Sequence, residues 1–120
     1  MDWAKIRHFT ENEFACKCGC GKNNINMQLV AALDMARKDA GIPIRISSGC
    51  RCKEHNARVG GVPDSAHVGG YAVDIQITNS ADRIRIVKAL MRYFDRIGID
   101  KHFVHVDIDH NKPGPAMWVY

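Results

Sequence analysis

Three side chains have the types and the spacing to hold a metal ion. His67 lies seven residues before Asp74, and His105 lies within a later segment, residues 103–108. Two imidazoles and one carboxylate are typical of catalytic zinc sites in which water takes the fourth position. Two glycines between His67 and Asp74 allow the backbone to turn sharply, so that the imidazole can fold back over Asp74. We therefore predict a zinc site formed by His67, Asp74 and His105 that leaves room for a water molecule.

The alternation of apolar and polar residues places these ligands on one face of a sheet. Residues 72–77 and 103–108 alternate strictly, as expected of strands with one buried face. Asp74 and His105 therefore point away from the apolar residues of their own strands, which are Val73, Ile75, Ile77, Val104, Val106 and Ile108. Asp107 shares the polar face with His105. We predict that the polar face carries the site and that the apolar face packs against helices.

The remaining elements follow from periodicity and capping residues. A first helix is predicted to begin at Asn26 and end at Gly41, with an apolar face of Leu29, Ala32, Leu33, Ala36 and Ala40. A second helix, capped by Asn79 or Ser80 and closed by Gly98, has a predicted apolar face of Ile84, Val87, Met91 and Phe94. Residues 44–47 and 118–120 read as short strands, and 52–58 as a helical turn. This pattern predicts an α+β fold: a small, largely antiparallel sheet with helices packed on one face and the zinc site on the other.

Length and composition restrict the possible classes of protein. The 120 residues suit a single domain spanning 1–120, and the apolar fraction of 46% is ordinary for a globular chain. No apolar run approaches the roughly 20 residues of a membrane helix, so we expect no membrane insertion. The N-terminal residues lack the charged-then-apolar layout of a secretory signal. The net charge of +4 is mild, and we expect a monomer that binds no nucleic acid.

The five cysteines fall into two clusters. Cys16, Cys18 and Cys20 form the first, and Cys50 and Cys52 form the second. An odd number does not fit a complete set of disulfides. Neighbouring cysteines in each cluster are separated by one residue, whereas the cysteines of structural zinc sites are usually separated by two to four residues. We expect free thiols with one optional cross-link between the clusters, and a second, structural metal ion is the alternative.

Several segments resemble a known family of peptidases. Residues 65–74, S-A-H-V-G-G-Y-A-V-D, match the S-x-H-x-x-G-x-A-x-D signature of the zinc D-Ala-D-Ala carboxypeptidases. These enzymes belong to a wider group that also includes lysostaphin-type enzymes and the hedgehog signalling domain. Residues 48–51, S-G-C-R, resemble the family's S-G-[YF]-R segment, with Cys50 replacing the aromatic residue, and Asn56 follows. Residues 103–107 resemble the strand that carries the last zinc ligand. The resemblance spans residues 9–120.

The resemblance implies a zinc enzyme that hydrolyses bonds next to D-amino acids in peptidoglycan stem peptides. His67, Asp74 and His105 would be its zinc ligands. Arg51 would bind the substrate's carboxylate or polarise its carbonyl, a task that suits a guanidinium fork. Ser48 and Ser65 would also bind substrate. Carboxypeptidase and endopeptidase action both remain open, and the lack of a visible export signal suggests a phage or prophage lysis enzyme that crosses from the host cytoplasm to the wall.

The general base is left open by the sequence. Many members of the family carry Asp or Glu three residues before the last ligand, but here that position is His102. A base must lie within hydrogen-bond reach of the reacting water. His102 and Asp107 are both candidates, with Glu54 and His55 next, and Asp107 could instead orient a ligating imidazole.

Two other functions compete with the peptidase interpretation. A non-catalytic, zinc-stabilised module of the same fold, binding the cell wall or another partner, is compatible with the missing acidic residue. A metal nuclease is the second rival, since residues 109–113, D-H-N-K-P, weakly resemble an HNH motif and the chain is basic. The distal Asn and His of that motif are not evident, and we therefore favour the peptidase.

Overall fold

The structure, a computed structural model, describes residues 3–120 and contains three helices and a five-stranded sheet. The helices are α1 (Met27–Ala40), α2 (Lys53–Arg58) and α3 (Ser80–Leu90). The strands are β1 (Ile46–Ser48), β2 (Ala72–Gln76), β3 (Arg96–Ile99), β4 (Phe103–Asp107) and β5 (Ala116–Val119).

In space the strands follow the order β1-β2-β4-β3-β5. Three of the four pairings are antiparallel, and β3 and β5 run parallel. The α+β prediction is confirmed, with a mixed sheet.

The core lies between the helices and the apolar face of the sheet. Strands β2 and β4 contribute Val73, Ile75, Val104 and Val106, each fully buried as the alternation predicted. Helix α1 adds Leu29, Val30 and Leu33, which are also inaccessible to solvent. Burying one such side chain is worth roughly 1.5–3 kcal/mol. The packing therefore determines which way the polar residues of β2 and β4 point.

Both predicted helix starts are confirmed by capping contacts. The Asn26 side chain accepts hydrogen bonds from the backbone N–H groups of Gln28 and Leu29, and Asn79 caps α3 through Asp82. Gly41 ends α1 with a φ of 70°, a conformation that glycine adopts at little cost.

The end and the buried face of α3 differ from the prediction. The helix ends at Leu90 rather than near Gly98, and its buried residues are Ile86, Ala89 and Leu90. Ile84 and Met91, predicted to face the core, are 60% and 59% exposed. The sequence offers two apolar stripes at helical spacing, and packing against α1 selects the stripe that contains the small Ala89.

Strand β3 was not predicted, because Gly98 was interpreted as a helix terminator. Its four residues, R-I-G-I, include a residue that is depleted in strands. Pairing with β4 on one side and β5 on the other supplies the stability that its local sequence lacks. Within the part of the chain that is described, no helix is both long and apolar enough to span a bilayer.

Candidate metal centre

Strand register brings two of the three predicted ligands together. In the antiparallel pair β2–β4, Asp74 lies directly opposite His105. The pairs on either side, Val73 with Val106 and Ile75 with Val104, point into the core. Directly opposed residues have Cβ atoms about 4.5–5.5 Å apart, so side chains of this size touch. The register of β2 and β4 alone thus brings two of the three predicted ligands together.

The third ligand is delivered by the loop that precedes β2. Gly70 has a φ of 79°, and a Cβ at this position would lie 2.1 Å from the carbonyl oxygen of Asn24. The loop is closed by a hydrogen bond from the Tyr71 N–H to the Ala66 carbonyl. Only glycine fits this close approach, and the turn it allows folds His67 back over Asp74.

The three ligand groups lie at the spacing of a metal site. Oδ1 of Asp74 is 3.2 Å from Nε2 of His67 and 3.0 Å from Nδ1 of His105. All three ligand atoms lie within 4.8 Å of one another, and the residues are at most 8% exposed. Tetrahedral ligands bound at about 2.0–2.1 Å from zinc are about 3.3 Å apart. The arrangement therefore fits a small divalent cation.

Each of the two imidazoles has an outer nitrogen, which faces away from Asp74. The hydrogen bond that this nitrogen makes determines whether the other nitrogen is free to bind a metal. Nδ1 of His67 lies 2.7 Å from the Gly49 carbonyl, and Nε2 of His105 lies 2.7 Å from Oδ2 of Asp107. A carbonyl and a carboxylate can only accept, so these outer nitrogens carry the protons. In the neutral rings, the nitrogens facing Asp74 then present lone pairs. Lone pairs and a carboxylate that face one another attract a cation, which is either a proton on a ring nitrogen or a metal ion.

The surroundings keep both carboxylates ionised. Burial alone would raise the pKa of Asp74, but hydrogen bonds to His105 and His67 outweigh it and hold this pKa well below its usual range. Asp107 is affected in the same way: burial opposes ionisation, while hydrogen bonds from His105 and Arg96 lower its pKa to about 2. For His105, burial lowers the pKa, but the bonds to Asp107 and Asp74 raise it overall. The two ionised carboxylates therefore favour the binding of a cation at this site.

Arg51 supports the site from the neighbouring segment. Its Nε donates to Oγ of Ser48 at 3.1 Å, and Nη1 donates to Oδ1 of Asn56 at 3.2 Å. Its Nη2 donates to Oδ2 of Asp74 at 3.2 Å, leaving Oδ1 to the imidazoles. An arginine has five N–H donors, so two remain for a substrate. Ser48 thus positions Arg51, whereas Ser65 lines the cleft beside the site and accepts a hydrogen bond from the His67 N–H.

A cleft of about 360 Å³ opens above the three ligands. Its lining includes the loop of residues 59–62 and the aromatic side chains of Trp118 and Tyr120. The Trp118 ring centroid is 5.6 Å from that of His105, and the Arg96 guanidinium lies 4.9 Å above the Trp118 ring. The arrangement can hold a peptide across a bound cation.

The matching family model is that of peptidase M15, and it covers residues 7–109. The chain belongs to the peptidase M15 family. This family includes the D-Ala-D-Ala carboxypeptidases, and its members are metallopeptidases. A search of curated proteins found no match. The recognition of an M15-type metallopeptidase is therefore confirmed at the level of the family.

The two candidates for the general base of this M15 peptidase occupy different places. Asp107 is 2% exposed and lines the cleft. Its Oδ2 lies against His105, and its Oδ1 accepts from Nε of Arg96 at 2.7 Å and from the Asp109 N–H at 3.2 Å. His102 is exposed just before β4 and lines a separate depression with Ser47 and Gln76. Neither Glu54 nor His55 is among the residues that line the cleft.

Sequence reasoning did not identify Arg96, Trp118 or Tyr120 as site residues. Arg96 lies on the unpredicted strand β3, and nothing in its local sequence indicates a site. Trp118 and Tyr120 are two residues apart, so their sharing one face of a strand was a usable signal. Gly98 makes their position possible, because a Cβ there would lie 2.5 Å from Nε1 of Trp118 and 2.9 Å from Cε2 of Tyr120.

Proposed function

We propose that this M15 peptidase uses zinc to hydrolyse peptide bonds in bacterial peptidoglycan stem peptides. The observation that supports the metal is the convergence of one ring nitrogen each from His67 and His105 on the Asp74 carboxylate, in residues that line the cleft. Two imidazoles and one carboxylate match the ligand set of catalytic zinc sites. Membership of the family supports hydrolysis of a peptide bond.

The charge of the cleft supports a substrate that carries carboxylates, as stem peptides do. Three cationic side chains line it, and each pairs with one carboxylate: Arg51 with Asp74, Arg96 with Asp107 and Lys112 with Asp109. The net positive charge of the cleft would therefore come from the bound metal ion. Such a cleft attracts an acidic peptide and disfavours a cationic one.

The chain's own residues would carry out most of the positioning. Zinc, when bound, supplies a water of lowered pKa and stabilises developing negative charge on the scissile carbonyl. The two remaining N–H donors of Arg51 would hold the substrate's carbonyl or terminal carboxylate beside it. Trp118 and Tyr120 would flank the extended peptide and exclude water. Wall hydrolysis of this kind would suit a phage or prophage lysis enzyme, and that role is part of the proposal.

Digestion of purified peptidoglycan tests the proposal. The zinc-loaded protein is expected to release products that mass spectrometry identifies, chelation should stop the reaction, and added zinc should restore it. Loss of a single terminal D-Ala would indicate a carboxypeptidase, and cleavage within the stem or cross-link an endopeptidase. If no bond is cut by the zinc-loaded protein but it sediments with the wall, the non-catalytic binding module is the better description.

The roles of Asp107 and His102 can be separated by substitution. We expect Asp107→Asn to weaken zinc binding at the ligand triad by about 10–100-fold, because it removes the carboxylate that orients His105. Saturating zinc should then restore most of the turnover. His102→Ala should leave turnover nearly unchanged, because its side chain lies outside the cleft. Zinc titration and peptide hydrolysis measure both effects.

Either result can be contradicted. An Asp107→Asn protein that is fully zinc-loaded and inactive would identify Asp107 as the general base. A His102→Ala protein that binds zinc normally and has lost turnover would assign that role to His102.

A further inference from the structure

A second group of metal-ligating side chains lies in the N-terminal part of the chain, outside the cleft. The sulfurs of four cysteines all lie within 4.8 Å of one another: Cys16, Cys18, Cys20 and Cys52. The measured separations are 3.4 Å between Cys16 and Cys18 and 3.7 Å between Cys18 and Cys52. All five cysteines are free, as expected, and the optional cross-link between the two clusters is not formed.

These separations match a metal site better than they match disulfides. A disulfide requires sulfurs about 2.05 Å apart. Four thiolates at about 2.3 Å from a tetrahedral zinc ion are about 3.8 Å from one another. The observed 3.4 and 3.7 Å are close to that spacing. We propose that Cys16, Cys18, Cys20 and Cys52 bind a structural zinc ion.

The local backbone explains how cysteines one residue apart can converge. The Cys16 N–H donates to the Lys22 carbonyl at 2.9 Å, which closes residues 16–22 into a loop. Gly19 and Gly21 have φ values of 84° and 86°, a region that favours glycine. These turns bring the thiols of the loop to one side. Because the backbone changes direction within this loop, its cysteines can converge without the usual spacing of zinc-binding cysteines.

Backbone donors are directed at three of the four sulfurs. The Cys52 N–H donates to Sγ of Cys16 at 3.4 Å, the His55 N–H to Sγ of Cys52 at 3.3 Å, and the Lys22 N–H to Sγ of Cys20 at 3.5 Å. Hydrogen bonds of this kind favour the thiolate, which is the form that binds metal. Three lysines neighbour the cysteines in the sequence, namely Lys17, Lys22 and Lys53.

The ion would connect the N-terminal loop to the segment that carries Arg51. Cys52 follows Arg51 directly, and the Cys50 N–H donates to the Phe14 carbonyl at 2.9 Å. An ion bound at Cys52 and the backbone hydrogen bond at Cys50 would together fix both ends of the segment that holds Arg51 against Asp74. Cys50 lies in the core, and its sulfur contacts Oδ1 of Asn23 rather than the four thiols.

Metal analysis of the full chain, purified under reducing conditions, tests this site. We expect two zinc ions per chain. His67→Ala should remove one, and the double variant Cys18→Ser, Cys20→Ser should remove the other. Cys50→Ala is the matched control, and it should keep both. After cobalt substitution, thiolate-to-cobalt charge-transfer absorption should persist in His67→Ala and disappear in the double variant, which separates this site from the ligand triad.

A measurement on the unaltered protein covers the case in which the cysteine variants do not fold. Cys18 and Cys20 are exposed, so they should react quickly with an alkylating reagent after chelation and slowly in the zinc-loaded protein. Equal alkylation rates with and without zinc, no thiolate-to-cobalt absorption, or disulfides in the protein as purified would each overturn the proposal.

Discussion

Replacing either His67 or Asp74 with alanine is expected to lower turnover on stem peptides by at least about 10³-fold. A zinc ion both activates water and stabilises developing oxyanion charge, and loss of a single oxyanion donor alone costs about 10²–10³-fold. Each variant should also lose the zinc of the ligand triad while keeping the zinc of the thiolate site. Peptide hydrolysis and metal content measured on the same preparation check both effects.

His110→Ala is the matched control for these variants. This histidine is exposed and lies outside the cleft, so its removal should change neither zinc content nor turnover. It also belongs to the HNH-like segment, and a DNA-nicking activity lost with His110 would support the nuclease instead. If the double variant His67→Ala, Asp74→Ala keeps two zinc ions per chain, the ligand assignment is wrong.

Arg51→Lys is expected to lower kcat/KM by about 10²-fold with zinc still bound. Lysine keeps the charge but loses the planar fork, so it cannot contact Ser48, Asn56 and Asp74 together and still donate to a substrate. Each lost hydrogen bond is worth about 0.5–1.5 kcal/mol, so a fall of about 1–3 kcal/mol in the free energy of unfolding is also expected. The three contacts show that Arg51 stabilises the fold as well as facing the cleft.

Arg45→Lys serves as the control for that substitution, because Arg45 is exposed beside β1 and does not line the cleft. Steady-state kinetics and thermal unfolding of both variants separate the two contributions. A large loss of stability in Arg51→Lys with unchanged turnover per folded molecule would limit Arg51 to a structural role.

The grouping of His67, Asp74 and His105 could be predicted because its determinants are local. Alternation fixed the side on which Asp74 and His105 lie, and the two glycines before Tyr71 explained how His67 returns to them. The site beyond the ligands depends on contacts between distant segments. Arg96 reaches Asp107 only because β3 pairs with β4, and Trp118 reaches His105 only because β5 pairs in parallel with β3.

The wrongly predicted face of α3 and the unpredicted convergence of four cysteines have the same origin. Both apolar stripes of α3 satisfy helical periodicity. Ile86 is buried and Ile84 is exposed because only the stripe of Ile86 packs against the rest of the fold. The convergence of Cys16 and Cys52, 36 residues apart, depends on the fold around the loop of residues 16–22. Spacing rules consider neighbours along the chain, and they cannot detect ligands that tertiary structure brings together.

The opposition of Asp74 and His105 links the proposed metal site to the core. Sliding β4 by one residue along β2 would turn His105 toward the helices and expose Val104 and Val106 to water. Losing the burial of those two valines alone would cost roughly 3–6 kcal/mol, a large part of the roughly 5–15 kcal/mol that stabilises a typical domain. Misaligned forms of the sheet are therefore almost unpopulated, and selection for a stable core also maintains the geometry of the proposed metal ligands.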